Sequence, residues 1–241
     1  TPYDALVPSG TPVRLDVEVE RFLGPFIDPS RTGVSVSAEG ATALTGADGF
    51  ARLDLGIRPD GQHRWTVSGA GRRAPVLVRV LPHESPVFIT DIDETIAGST
   101  PFGFIVKPVG WVQPLPGAAA ALHEIARRFP LLYLTARDHR YTDKTKRWLA
   151  LKGFPEAPVF LRKRTRFTTL RARHHKIQRL AELKRDFPAI AWGVGDKAGD
   201  VEAYASAGIR PILFARRRPP EIPDSVPCLS DWGSILKLVL V

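Results

Sequence analysis

Asp91-Ile92-Asp93-Glu94-Thr95 follows directly on the apolar run Val87-Phe88-Ile89. Such a run reads as a fully buried strand. Two carboxylates one residue apart at its carboxyl end repel each other unless a cation lies with them. Mg²⁺ suits the place, because it takes a few carboxylates together with water and substrate phosphate oxygens. The chemistry that follows is phosphoryl transfer: Asp91 attacks phosphorus, and Asp93 protonates the leaving alcohol and then activates water. Alone, Asp-x-Asp after a strand is a common acidic turn with Thr95 as a helix cap. Three pieces downstream give the pair its weight.

Thr135 ends the apolar stretch 131–134, where a hydroxyl and adjacent amides can hold phosphate oxygens. Arg137, two residues on, has the fork that binds phosphate through two bonds. Thr95 is the other expected substrate contact. Lys176 begins a helix after His174-His175 and is the cation expected to neutralise Asp91 and its phosphoryl adduct. It is preferred to Lys163 because it stands before the fourth strand. The two histidines are not read as a metal pair, since neighbours on a helix point in different directions. Gly195-Asp196-Lys197-Ala198-Gly199-Asp200 repeats the first device: an acid leaves an apolar strand and a second acid follows four residues on. Asp196 completes the Mg²⁺ coordination begun by Asp91, with Asp200 behind it or acting through water.

These residues need a scaffold that brings distant strand ends together. From residue 86 the pattern alternates strands with helices, the sign of a parallel sheet with crossovers. Helices are predicted over 118–128, 141–152, 174–187, 200–207 and 232–240, and strands over 131–134, 158–161, 190–194 and 209–214. The stretch 101–112, with Phe102, Phe104 and Trp111, is expected to be a loop. Before residue 85 no helical period is found. Alternation at 13–19, 34–36, 50–55, 65–67 and 76–80 predicts short strands, and Asp48-Gly49 predicts a hairpin turn. Residues 1–10 read as irregular. The expectation is therefore two domains joined by Pro82-His83-Glu84-Ser85-Pro86: a small β-sandwich over 1–85 and an α/β Rossmann-like domain over 86–241. The segment 45–55 resembles bacterial immunoglobulin-like or transthyretin-like repeats.

The order Asp-x-Asp-x-Thr, strand-Thr, Lys, Gly-Asp-x-x-x-Asp resembles the haloacid dehalogenase superfamily of phosphatases over residues 86–215. Within it, Leu132–Arg137, Gly110-Trp111 with Pro116-Gly117, and Gly195 with Asp200-Val201-Glu202-Ala203-Tyr204 are similar to the lipin-type phosphatidate phosphatases. His175-Lys176 followed by a helix and Asp186-Phe187-Pro188 is similar to the actin-patch-associated group. The resemblance implies Mg²⁺-dependent removal of phosphate from phosphatidate at a membrane, with Asp93 adding its main-chain carbonyl to the metal. Glu94 departs from both groups, which carry glycine and usually aspartate there. The short spacing between Thr95 and residue 118, and between Thr135 and Lys176, leaves no room for a separate cap. The site is expected to be open to a large substrate.

The formal charge is +9. Residues 1–85 carry 9 Lys+Arg and 10 Asp+Glu, so residues 86–241 carry the remaining 25 and 15. The positive field therefore surrounds the paired aspartates and fits an anionic partner. Anionic lipid at a membrane surface is favoured, with Arg162-Lys163-Arg164-Thr165-Arg166 and Arg171-Ala172-Arg173 as a basic approach. Nucleic-acid ends and small phosphorylated metabolites are the alternative substrates, and a lipid-binding module without catalysis is the alternative class. No apolar run is long enough for a transmembrane helix, so a cytoplasmic or peripheral-membrane protein is expected. The chain contains no methionine, and a removed leader upstream is compatible with that.

Overall fold

Alternating valine and leucine positions in the first third of the chain bury one face of each strand, as a period of two requires. The computed structural model describes residues 1–21, 29–162 and 170–241. Two compact units result, Thr1–Pro82 and His83–Val241. The first holds β1 (Ala5–Pro8), β2 (Pro12–Glu18), β3 (Ser35–Ala38), β4 (Ala41–Leu44), β5 (Phe50–Ile57), β6 (Gly61–Gly69) and β7 (Arg72–Leu81). One sheet has the order β1-β7-β6-β3-β4 and the other is β2-β5. Leu15, Val17, Leu53, Val76 and Val78 lie in their shared core.

Three details differ from expectation, the first being that Ala41–Leu44, outside the expected strands, forms β4. Residues 5–8 are a strand, paired in parallel with β7; four residues ending in proline are too few to display alternation. The Asp48-Gly49 turn forms, with the Gly46 amide donating to the Phe50 carbonyl at 2.8 Å. It does not close a hairpin, because β4 pairs with β3 and β5 with β2. The turn carries the chain from one sheet to the other.

The second unit holds β8 (Phe88–Thr90), α1 (Pro101–Val106), α2 (Ala118–Ala126), β9 (Leu131–Asp138), α3 (Thr142–Leu151), β10 (Val159–Arg162), α4 (Leu170–Asp186), β11 (Trp192–Gly195), α5 (Ala198–Ser206), β12 (Arg210–Phe214), β13 (Cys228–Leu229) and α6 (Trp232–Leu240). The sheet order is β10-β9-β8-β11-β12-β13, and every pair is parallel. This is the expected Rossmann-like, haloacid dehalogenase-like arrangement, with no separate cap among the described residues. The chain starts in the middle at β8, runs outward through β9 and β10, then crosses back to β11. The carboxyl ends of β8, β9 and β11 therefore border the point where the strand order reverses, which is where open α/β sheets form a crevice. Phe88, Ile92, Tyr133, Trp148 and Trp232 are fully buried in the core beneath it.

The stretch expected to be a loop contains α1. Thr100 caps it, accepting from the Gly103 amide at 3.1 Å, and Pro101 opens the first turn. Proline tolerates that position because its missing N–H has no intrahelical partner to lose. Phe104 turns inward and meets Trp148 edge-on, with ring centroids 6.1 Å apart. A 3-10 turn, Val109–Trp111, follows. Lys163 and most of the expected basic approach (163–169) lie outside the described residues, as do the side chains of Arg171, Arg173, His174 and His175.

Candidate active site

The loop after β8 is built to present carboxylates. The Asp91 amide donates to the Val194 carbonyl at 2.9 Å, which continues the β8–β11 pairing by one residue. The Ile92 amide then donates to Asp91 Oδ1 at 2.8 Å. Ile92 and Ile96 are fully buried beneath the loop, and the Ile96 and Ala97 amides both return to the Ile92 carbonyl. From α6, the Trp232 indole N–H donates to the Thr95 carbonyl at 2.9 Å, so the last helix anchors the loop.

Asp91, Asp196 and Asp200 converge, with one carboxylate oxygen of each within 4.8 Å of the others. Lys176 lies against them: its Nζ is 3.7 Å from Asp91 Oδ2 and hydrogen-bonds Asp200. Burial raises the Asp91 carboxyl to about 7; the Lys176 charge and the Ile92 amide oppose that, and the charges of Asp200 and Asp93 add to it. Burial likewise raises Asp196 to about 6, against the pull of the Lys197 charge. Burial would lower Lys176, but Asp91 first, then Tyr204 and Asp200, outweigh it and hold the ammonium form. Two cations, Lys176 and Lys197, against these three carboxylates leave negative charge uncompensated among the described residues. Asp196 Oδ1 is also buried without a hydrogen-bond partner among the described residues. An all-oxygen donor set with an unsatisfied buried oxygen fits a hard divalent ion such as Mg²⁺.

The glycines of β11 permit this closeness. A Cβ at Gly195 would lie 2.5 Å from Asp200 Cβ and 2.6 Å from Asp200 Oδ2, and a Cβ at Gly193 would lie 2.3 Å from the Tyr204 ring. Tyr204 in turn places its ring 5.3 Å from Lys176 Nζ.

Asp93 points elsewhere. Arg137 grips it through two bonds, Nη2 to Oδ1 at 2.7 Å and Nε to Oδ2 at 2.9 Å, and both side chains are almost completely buried. Arg137 Nη1 donates to the Thr145 hydroxyl at 3.2 Å, and the guanidinium carbon sits 3.4 Å from the Phe104 ring centroid. The expectation that Arg137 presents its fork to substrate phosphate is corrected: three donors face inward, because the side chain follows β9 under α1. The Thr135 hydroxyl lies 3.5 Å from Asp93 Oδ2. Thr95, the other expected substrate contact, is fully buried, and its hydroxyl has no hydrogen-bond partner among the described residues. Of the four expected metal ligands, Asp93 alone keeps its carboxylate out of the cluster.

Two contacts had no counterpart in the sequence reading. Lys197 Nζ bridges Asp196 Oδ2 at 3.2 Å and Glu94 Oε2 at 3.3 Å; its adjacency to Asp196 was the available signal. Glu94 has φ of 55°, a left-handed conformation that costs a non-glycine residue roughly 1 kcal/mol.

The raised carboxylates give a test of metal binding that does not need turnover. Both groups hold protons more tightly folded than unfolded, so their contribution to stability falls as pH rises through about 6 and 7. A divalent ion replaces those protons. Mg²⁺ is therefore expected to raise the melting temperature more at about pH 8 than at about pH 5. Gly195→Ala should erase most of that gain by displacing the Asp200 carboxylate. Thermal unfolding with and without Mg²⁺ checks both.

Among solved structures, the chain is similar to a haloacid dehalogenase-like hydrolase from Streptococcus pneumoniae, at 14% identity over 64% of this chain and 98% of that one, TM-score 0.45. It is similar to the cobalt-bound deoxy-D-mannose-octulosonate 8-phosphate phosphatase of Haemophilus influenzae, at 16% identity over 66% and 88%, TM-score 0.44. A chain of the Pnkp1/Rnl/Hen1 RNA repair complex is also similar, at 16% identity over 60% and 42%, TM-score 0.43, so this chain spans less than half of that one. No curated protein sequence matches. The LNS2 (Lipin/Ned1/Smp2) family matches residues 70–214, which is more than half of the chain and includes Asp91, Asp93, Thr135, Arg137, Lys176, Asp196 and Asp200. On that match, the chain belongs to the LNS2 (Lipin/Ned1/Smp2) family.

Proposed function

We propose that the protein is a Mg²⁺-dependent phosphatase that works through an aspartyl-phosphate on Asp91, with phosphatidate or a related lipid phosphate as substrate. The observation that carries the reading is the meeting of Asp91, Asp196, Asp200 and Lys176 at adjoining strand ends. When bound there, the metal supplies positive charge to the phosphate oxygens and to the Asp91 carboxylate. Asp91 attacks phosphorus, the ester P–O bond breaks, and the leaving alkoxide takes its proton from Asp93. Asp93 then accepts a proton from water, the water oxygen attacks phosphorus, and inorganic phosphate leaves with the Asp91 carboxylate restored. Both Asp93 oxygens are held by Arg137, so each transfer requires Asp93 to release one of those bonds. Lys176 offsets the charge of Asp91 and its adduct, and Thr135 donates to a phosphoryl oxygen.

Family membership and the lack of a separate cap among the described residues support the lipid substrate. No helix among the described residues is long and apolar enough to cross a membrane, so we place the enzyme peripherally on a membrane surface. The β-sandwich is read as a separate domain. The test is Mg²⁺-dependent phosphate release from phosphatidate vesicles, phosphorylated oligonucleotide ends and sugar phosphates. Fastest release from phosphatidate is expected. Equal or faster release from another arm removes the lipid assignment, and no release from any arm removes the enzyme reading.

A further inference from the structure

Apart from Leu238 and Val241 at the end of the chain, the large exposed apolar side chains described in the second unit lie on α1, the 3-10 turn and the end of α3. Phe102, Val106, Trp111 and Leu151 are 73%, 60%, 74% and 62% exposed, and Ile105 is 37% exposed. Phe102, Ile105 and Val106 are spaced three and four apart, so they share the outer face of α1, while Phe104 turns inward. The pieces that carry them are tied together. Lys144 Nζ donates to the Ile105 and Lys107 carbonyls at 2.8 Å, and Lys152 Nζ to the Gly110 carbonyl at 3.0 Å. The 3-10 turn with Trp111 packs on α3, which ends at Leu151.

The charge along the segments that carry this face is predominantly positive. Residues 95–123 contain no Asp or Glu. Against a single acid, Asp143, the stretch 142–152 brings Lys144, Lys146, Arg147 and Lys152, and Lys107 adds another cation. Exposed tryptophan and phenylalanine within a basic rim match the two layers of an anionic membrane surface, apolar boundary below and negative headgroups above. The face also adjoins the catalytic crevice. The inward Phe104 ring stacks on the Arg137 guanidinium, which holds Asp93, so the outer face of α1 stands about 10 Å, one helix diameter, from that pair.

We propose that α1 and the 3-10 turn form the surface by which the protein docks on an anionic lipid bilayer, with Phe102 and Trp111 entering the headgroup–acyl boundary. The proposal deepens the phosphatase reading by naming how that site meets its substrate, and it rests on that reading only for its purpose. Binding can be measured on lipids that carry no phosphomonoester. The full chain is sedimented with vesicles of phosphatidylcholine alone and of phosphatidylcholine mixed with phosphatidylglycerol. The parent is expected to bind the mixed vesicles, more weakly as salt rises. Phe102→Ser with Trp111→Ser should weaken that binding roughly tenfold, while Mg²⁺-dependent hydrolysis of soluble p-nitrophenyl phosphate stays at the parent level. As an independent measure, bromine-labelled lipid should quench parent tryptophan emission, and Trp111→Phe should lose most of that quenching. The proposal is overturned by equal vesicle binding of parent and double variant, by parent failure to bind mixed vesicles, or by self-association of the parent that the double variant loses. Patch-dependent binding with no hydrolysis of any phosphomonoester would support the docking surface and sink the phosphatase reading alone.

Discussion

Asp91→Asn is expected to reduce turnover roughly 10⁴-fold or more while leaving the fold intact. The amide has the shape of the carboxylate and can still accept from the Ile92 amide, but it cannot form an acyl phosphate under attack on phosphorus. Burial already raises Asp91 to about 7, so above that pH its ionised form is a liability to the folded state. Removing the charge should therefore leave the melting temperature unchanged or higher at about pH 8 without Mg²⁺. Lys176 keeps Asp200 as a partner. Steady-state phosphate release and a thermal melt on the same preparation decide the matter. Activity within a few-fold of the parent would refute Asp91 as the attacking group.

Arg137→Leu is expected to be the most damaging single change to stability, at about 3–5 kcal/mol, because it leaves the buried Asp93 carboxylate without its partner. Arg137 and Asp93 are 1% and 5% exposed at the side chain, so solvent cannot take over the lost interaction. Adding Asp93→Asn removes the stranded charge and should restore a large part of the loss. Arg137→Lys keeps the charge but not the fork; it should be intermediate in stability and lower kcat more than it raises KM, since Asp93 would no longer be held in one orientation. Denaturant unfolding of the parent, Arg137→Leu, Asp93→Asn, their combination and Arg137→Lys, with kcat and KM for the lysine variant, tests the assignment of Arg137 as a positioning residue. If Arg137→Leu unfolds like the parent, or if its combination with Asp93→Asn gives simple additivity, the pair is not the coupled unit described.

The sequence by itself carried much of this protein. The change from a period of two to strands alternating with helices marked an α/β sheet after residue 86, because each element must bury one face. Asp91 and Asp196 were legible as a pair although 105 positions separate them in the chain. Each follows a short apolar run, and parallel strands deliver such residues to one edge. Longer elements, such as α3 and α4, showed themselves through period and composition; α1, β1, β4 and β13 are too short for either to accumulate. Thr100-Pro101, a capping hydroxyl before a first-turn proline, is the sign of α1 in the sequence.

What the tertiary structure decided is which way side chains face where several partners compete. Arg137 has a fork that suits phosphate and carboxylate equally, and nothing in the order of residues says that Asp93 and Phe104 surround it. Thr95 reads as a helix cap or a substrate contact, yet in the fold it is fully buried and its carbonyl accepts from the Trp232 indole. Gly195 reads as the end of the fourth strand, and the Asp200 carboxylate fills the space a Cβ there would need. Local pattern sets where the chain can bend and which face is apolar; the choice among competing contacts is made only when strands far apart in sequence pack side by side.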